Sequence, residues 1–281
     1  MTQTTAHSEP VVEEFRPHRR WFQRPDVLTP LILTSVGFAL LIGAVSVPAN
    51  YRTEMDAPPG DVSFDWMFFF HMVPLMVQGV LVLAKATVLG FTVAIVLGFA
   101  MALGRRTKLR WVSWPSALVI EFIRSTPLLV QLFFWQALFR SVEGISLTPV
   151  EILTLGLGIH YATYCSEAYR AGINSVDKGQ WEAATALNLG PVTKWTRVII
   201  PQAVPNVLPA LGNYLVAAFK DAPLGVAVNV HGLLFFADQV RAETFRATEP
   251  YLLAGVGFLL VSLPAAWLVR QLEKRISYER V

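Results

Sequence analysis

Six stretches of apolar residues alternate with polar connections along this chain, near 27–47, 72–103, 114–139, 149–170, 204–229 and 250–270. A helix needs about 20 such residues to cross the hydrocarbon core of a bilayer. Backbone polar groups in lipid must be satisfied within their own segment, so each stretch predicts one helix. The pattern predicts an all-α integral membrane protein with about six transmembrane helices. The second stretch is long enough to tilt or to project from the membrane. Polar or proline-containing steps interrupt the third at Ser125-Thr126-Pro127 and the fifth at Ala222-Pro223-Leu224-Gly225. Residues 60–71 hold Phe64, Trp66, Phe68, Phe69, Phe70 and His71, a pattern suited to a membrane–water interface. Residues 231–246 suit a second interfacial helix.

The charges orient these spans. Arg16, Arg19, Arg20 and Arg24 precede the first, and Arg105, Arg106, Lys108 and Arg110 follow the second. Lys178, Lys194 and Arg197 lie between the fourth and fifth, and Arg270, Lys274, Arg275 and Arg280 follow the sixth. Lysine and arginine collect on the cytosolic side, so alternate connections and both termini are expected there. The opposite connections, 48–71, 140–148 and 230–249, carry acids, with Arg52, Arg140, Arg241 and Arg246 as exceptions. Residues 1–26 read as a flexible cytosolic tail. The stretch 27–47 is too long for a secretory signal and lacks the usual small-residue cleavage site, so it reads as an additional N-terminal span. Residues 48–281 then form one integral domain, without internal repeats.

Composition narrows the function. The 281 residues are 54% hydrophobic and 15% charged, and the mean hydropathy is +0.48. Soluble domains carry about 25% charge. A net charge of +3 gives no argument for nucleic acid. One cysteine, Cys165, excludes an intramolecular disulfide and a multi-cysteine metal site. His71, His160 and His231 lack carboxylates at ligand spacing, so no metal site is expected. The chain holds neither a nucleophile–base–acid constellation nor a Walker-type phosphate loop. It is expected to bind no cofactor and to hydrolyse nothing itself.

The connection 178–201 is long and amphipathic for a loop between spans. Trp181, Ala184 and Leu187 recur at helical spacing after Gly179, predicting a short helix over 178–187. Asn188-Leu189-Gly190-Pro191 stops it, 192–200 reads as a second helix, and Pro201 marks the turn into the fifth span. The segment resembles the loop by which permease subunits of bacterial ABC importers dock their ATPase. That loop reads Glu-Ala-Ala, three residues, Gly, nine residues, Ile, one residue, Leu-Pro. Glu182, Ala183 and Ala184 match, with Asn188 at the Gly position, Val198 at the Ile position and Ile200-Pro201 at Leu-Pro. Gly and Asn both enter the left-handed conformation that ends helices, so Asn188 keeps the backbone role. The resemblance implies that Gly179, Gln180, Trp181, Glu182, Ala183, Ala184, Leu187, Asn188, Gly190 and Pro201 form the ATPase-coupling segment.

Three further segments extend the likeness. Residues Glu121-Phe122-Ile123-Arg124-Ser125-Thr126-Pro127-Leu128-Leu129-Val130-Gln131 are similar to the Glu-Leu-Phe-Arg-Gly-Thr-Pro-Leu-Leu-Val-Gln segment of polar amino acid permeases. Tyr164, Glu167, Arg170, Gly172 and Ile173 match their Tyr-x-x-Glu-x-x-Arg-Gly-Gly-Ile. Gly212-Asn213 and Phe219-Lys220-Asp221 match their Gly-Asn and Leu-Lys-Asp. The likeness covers residues from about 75 to 270, about 70% of the chain. The chain departs from the pattern at Asn188, at Ala222-Pro223-Leu224-Gly225 in place of Thr-Ser-Leu, and in its N-terminal span. It is identified as a member of the histidine, glutamine and arginine uptake branch, with the type I ABC importer permease fold. The resemblance implies a pore-forming subunit in the bacterial inner (plasma) membrane. It implies as partners a second copy or a related permease, ABC ATPase subunits that use ATP and Mg, and an extracytoplasmic solute-binding protein. Permeases for ectoine-type compatible solutes and for opines share these motifs, so the solute stays open among amino acids and such compounds.

Ionisable groups inside a membrane need a partner or water. Broken helices offer dipole ends and free backbone groups to a zwitterion. Thr126, Pro127, Gln131, Lys220, Asp221 and Pro223 are the substrate-path candidates. Glu121 with Arg124 and Glu167 with Arg170 are spaced i,i+3, and each pair predicts a structural or gate ion pair. Lys85 either snorkels or points into a cavity. Gly90, Ala94, Gly98 and Ala102 repeat every four positions and suit close packing, within the subunit or at a dimer interface. An ion-coupled secondary transporter would share intramembrane charges and broken helices, but it gives no reason for the spacing in 182–201.

Overall fold

The computed structural model describes residues 64–144 and 146–278, so the tail at 1–26 and the span at 27–47 lie outside the described residues. Helix α1 (Trp66–His71) is the short aromatic segment expected at the interface. The Asp65 carboxylate caps it, accepting from the amides of Met67 at 2.8 Å and Phe68 at 3.1 Å. Helix α2 (Val73–Arg106) follows, then α3 (Arg110–Arg124), α4 (Leu128–Ser141) and α5 (Pro149–Asn174). The loop helix α6 (Lys178–Ala186) leads to α7 (Pro191–Thr193), a π-helical turn (Lys194–Ile199) and α8 (Ile200–Asp221). A 3₁₀ segment (Ala222–Val228), α9 (Leu233–Thr244) and α10 (Thr248–Tyr278) complete the described chain.

Small residues decide how the two central helices meet. A Cβ built on Gly90 would lie 2.7 Å from the Thr154 carbonyl, and one on Gly98 would lie 2.6 Å from the Ala162 carbonyl. Both neighbours are backbone and cannot step aside. Gly90, Ala94, Gly98 and Ala102 are all buried in α2. The four-residue repeat therefore serves a seam inside the subunit, along which α2 and α5 run parallel at close range. Gly172 performs the same service between α5 and α8, where a Cβ would meet the Ala203 carbonyl at 3.2 Å.

Helix α2 and the Thr248–Gln271 part of α10 are long and apolar enough to cross a membrane, and the α3–α4 pair adds a third crossing if it counts as one bent span. The expected third span is thus two helices turned by 109° at Ser125-Thr126-Pro127. Proline disfavours helical geometry at the residue before it, which places the break at Thr126. Helices α5 and α8 alternate in direction with the apolar spans but carry more polar groups. Protein neighbours cover much of α5, whose His160, Thr163 and Ser166 are all buried.

The fifth span also differs from expectation at its start. Pro201 does not mark a turn, because α7, the π-turn and α8 are continuous. In a regular helix the Pro201 ring would press on the Arg197 carbonyl. The turn before it is widened instead, with the Ile200 amide reaching back to the Trp195 carbonyl.

Candidate functional site

Two regions gather polar side chains, one outside the main apolar core and one set into it. The first is the loop at the basic end of the helices. Asp177 caps α6, its Oδ1 accepting from the Gly179 amide at 2.6 Å. The helix closes with two bonds, from the Leu189 amide to the Ala184 carbonyl at 3.0 Å and from the Asn188 amide to the Thr185 carbonyl at 2.9 Å. This double bond is the Schellman arrangement, which requires a left-handed residue after the helix. Asn188 supplies it with φ 52°, and its position is where the amino acid permeases have glycine.

Among the described residues the loop is braced on the inside and bare on the outside. Trp181 and Trp195 meet edge to face with ring centres 5.4 Å apart. They pack on the buried patch of Ile173, Val176, Ile199 and Ala203. Lys194 Nζ donates to Thr185 Oγ1 at 2.9 Å, and Gln202 Nε2 donates to Gln180 Oε1 at 3.1 Å. Ala184 is buried, so this alanine seats α6 on its own subunit. Glu182 and Ala183 face solvent, as do Leu187 and Val192, which are 73% and 76% exposed.

The second region lies among α3, α4, α5 and the end of α8. Gln131 is buried behind the Thr126-Pro127 break and closes it. Its Nε2 reaches the carbonyls of Ile123 at 2.7 Å and Thr126 at 3.0 Å, and Thr126 Oγ1 at 2.8 Å. Its Oε1 lies 3.2 Å from His160 Nδ1, a bond that places the proton on Nδ1. Next to His160, the Tyr161 hydroxyl donates to Asp221 Oδ2 at 2.6 Å. Tyr164 lies against His160, Tyr161 and Tyr214, with ring centres 5.3, 5.7 and 5.6 Å away. The Arg124 guanidinium sits over the Tyr164 ring, 5.3 Å from its centre.

Residues 94–278 match the family model described as the binding-protein-dependent transport system inner membrane component. The chain belongs to this family. The permease is 43% identical over 220 residues to the probable amino-acid ABC transporter permease protein y4tG of Sinorhizobium fredii NGR234, covering 78% of this chain and 93% of that one. It is 31% identical over 218 residues to the glutamine transport system permease protein GlnP of Escherichia coli K12, covering 77% and 99% respectively. A solved amino acid ABC transporter with histidines superposes with a TM-score of 0.71 at 30% identity, over 76% of this chain and all of the other. The permease is a subunit of an amino-acid ABC importer, a multi-pass membrane protein with the type I fold.

The expected ion pairs divide. Glu167 does meet Arg170, at 2.5 Å, and also binds Arg105 from α2, so the pair is one side of a triad. Glu121 and Arg124 form no ion pair among the described residues; Arg124 turns to Tyr164 instead. Helical spacing permits such a pair but does not impose it. Lys220 and Lys85 are exposed. Pro223 lies in the 3₁₀ segment, which Gln136 braces by donating to the Val228 carbonyl at 3.3 Å. Sequence reasoning missed Tyr161, Tyr164 and Tyr214 as parts of the polar region. Their signal was present as hydroxyl-bearing rings on the more polar spans, facing charges from other helices. It also missed the opposite end, where buried Glu249 binds Arg246 and accepts from the Asp65 amide at 3.1 Å.

Proposed function

We propose that the permease is the non-catalytic, pore-forming subunit of an importer in the bacterial inner (plasma) membrane, coupled to a separate ATPase through residues 178–201. The observation that carries this reading is a helix braced on one side and bare on the other. Its inner side is locked by the Trp181–Trp195 contact and the Gln202–Gln180 bond. Its outer side presents Glu182, Ala183, Leu187 and Val192, which no other described residue covers. Exposed leucine and valine beside a carboxylate suit a protein partner better than water. Because α7, the π-turn and α8 are continuous and the Trp181–Trp195 contact holds α6 against the π-turn, a push on α6 moves a span. ATP and Mg belong to the ATPase in this scheme, and the chain binds no cofactor itself. A second copy or a related permease completes the pore, an extracytoplasmic binding protein delivers solute, and residues 27–47 add an N-terminal span to the domain 48–281.

For the solute, the region around Asp221 supports an amino acid or a related zwitterion. Asp221 offers a carboxylate to an ammonium group, and Arg124 offers a guanidinium to a carboxylate. Linked tyrosine rings lie between them. Thr126, Pro127 and Gln131 shape the break next to this path, while Lys220 and Pro223 flank Asp221. The reading is tested by co-purifying the detergent-solubilised permease with its ATPase, wild type against Glu182→Arg. Loss of the complex from a variant that still elutes as folded protein is the expected result. Unchanged binding removes Glu182 from the interface, and a wild type that binds no ATPase overturns the reading.

A further inference from the structure

Helix α2 is 34 residues long, which at about 1.5 Å per residue is about 51 Å. The hydrocarbon core needs only about 30 Å. The surplus carries the basic end of α2 out of the apolar slab, to the level of the coupling loop. Its last residue, Arg106, ends there in three contacts. The guanidinium lies 5.2 Å from the Trp181 ring centre and 5.6 Å from that of Trp195. Its Nη1 donates to Asn174 Oδ1, the final residue of α5, at 3.0 Å.

These contacts join four elements at one planar group. Trp181 belongs to α6, Trp195 to the π-turn, Asn174 to α5 and Arg106 to α2. A guanidinium can stack on aromatic faces while its edge N–H groups donate in plane, which an ammonium cannot do at the same time. The loop is tied covalently to α8 by continuous helix, and to α5 only through the non-helical turn at 175–177. Its link to α2 in this corner is side-chain contact, and Arg106 carries it. Helix α2 is in turn locked to α5 by glycine seams whose neighbours are backbone carbonyls, so displacement at Arg106 moves both helices together.

We propose that Arg106 is the positioning residue that passes movement of the coupling loop to the α2–α5 pair, a rigid side-chain route beside the non-helical 175–177 turn and separate from the helical one through α8. The inference rests on the reading of 178–201 as the ATPase dock. In this scheme ATP-driven displacement of α6 acts along two paths. One runs through the π-turn into α8. The other runs from Trp181 and Trp195 through Arg106 into α2, and the Arg105–Glu167–Arg170 triad next to it keeps α2 and α5 in step. The scheme explains why a helix that must only span a bilayer continues beyond it.

The test uses the full permease–ATPase complex with an environment-sensitive thiol fluorophore on one of two exposed positions, Val96→Cys on α2 or Leu208→Cys on α8. Cys165 is replaced by alanine. A non-hydrolysable ATP analogue is the trigger, and ATPase co-purification is recorded for every variant. In the Arg106 wild type both probes respond. In Arg106→Gln the complex still forms and the α8 probe responds as before. The equilibrium shift read on α2 falls about tenfold, the effect of losing stacked cation–π contacts in one of two states. Arg106→Lys restores part of the α2 response, and adding Trp195→Leu to Arg106→Gln costs little more, because the two act as one unit. An unchanged α2 response in Arg106→Gln overturns the proposal, as does equal loss at both helices with assembly intact. A complex that never forms, even with Arg106 present, overturns the docking reading instead.

Discussion

The coupling loop and the polar interior are built on opposite principles. The loop takes its own shape from neighbours in sequence, with Arg106 as its tie to α2: Asp177 caps α6, Asn188 ends it, and Trp181 meets Trp195 fourteen positions on. The interior is assembled from residues far apart in the chain. Tyr161 and Asp221 are separated by 60 positions, Gln131 and His160 by 29, and Arg105 and Glu167 by 62. A segment that presents a surface to a partner can carry its own geometry as a linear motif. A path through a membrane cannot, because several helices must each contribute one or two groups to it. Damage to the loop should therefore leave the membrane part intact, whereas damage to the interior should reach the fold.

The largest expected effect lies in the interior. Gly98→Leu drives a side chain at the Ala162 carbonyl, 2.6 Å from where even a Cβ would sit. Overpacking against backbone should cost about 3 kcal/mol, seen as a sharp fall in thermal stability in detergent. A variant as stable as wild type would mean that the α2–α5 seam is not as close as described. Gln131→Leu ranks next. It leaves the Ile123 and Thr126 carbonyls at the break without their donor, at about 2 kcal/mol. Stability should drop while ATPase binding persists, and the reverse outcome would dissolve the contrast between the two regions. The smallest effect belongs to the loop. Asn188→Val places a β-branched residue at φ 52°, at about 1–2 kcal/mol of local strain. It should weaken ATPase co-purification without lowering the melting temperature of the membrane part. Asn188→Gly should be silent in both, and a silent valine variant would show that the left-handed turn is not needed.

The same contrast sets how much was legible in the sequence. Helix α6, the role of Asn188 and the break at Thr126-Pro127 follow from local rules of capping and proline geometry. They were readable because neighbours in sequence enforce them. The apolar runs likewise placed α2 and α10. What escaped was the third dimension. The spacing of Glu121 and Arg124 equals that of Glu167 and Arg170, yet only the second pair closes, because Tyr164 offers Arg124 a ring to lie on. The break at Thr126-Pro127 was visible, but not its 109° angle or the lock that Gln131 places on it. A proline after a loop often marks a turn, which is the sequence expectation at Pro201. The widened turn before it lets the helix continue, and only the backbone of 194–199 reveals that. Ala183 and Ala184 both match the coupling motif, yet helical rotation puts Ala184 inward and Ala183 outward.

If α6 couples the two subunits, its outer face touches the ATPase. Cross-linking tests this contact, with Ala183→Cys in a Cys165→Ala background labelled by a benzophenone maleimide, which on irradiation inserts into C–H bonds of whatever lies against it in the assembled transporter. Cys165 is buried, so its removal costs little surface chemistry and leaves one reactive thiol on the permease. A permease–ATPase product is expected from position 183, and none from Trp66→Cys at the opposite, acidic end of the bundle. A product from position 66, or none from position 183 in a complex that co-purifies, would contradict it.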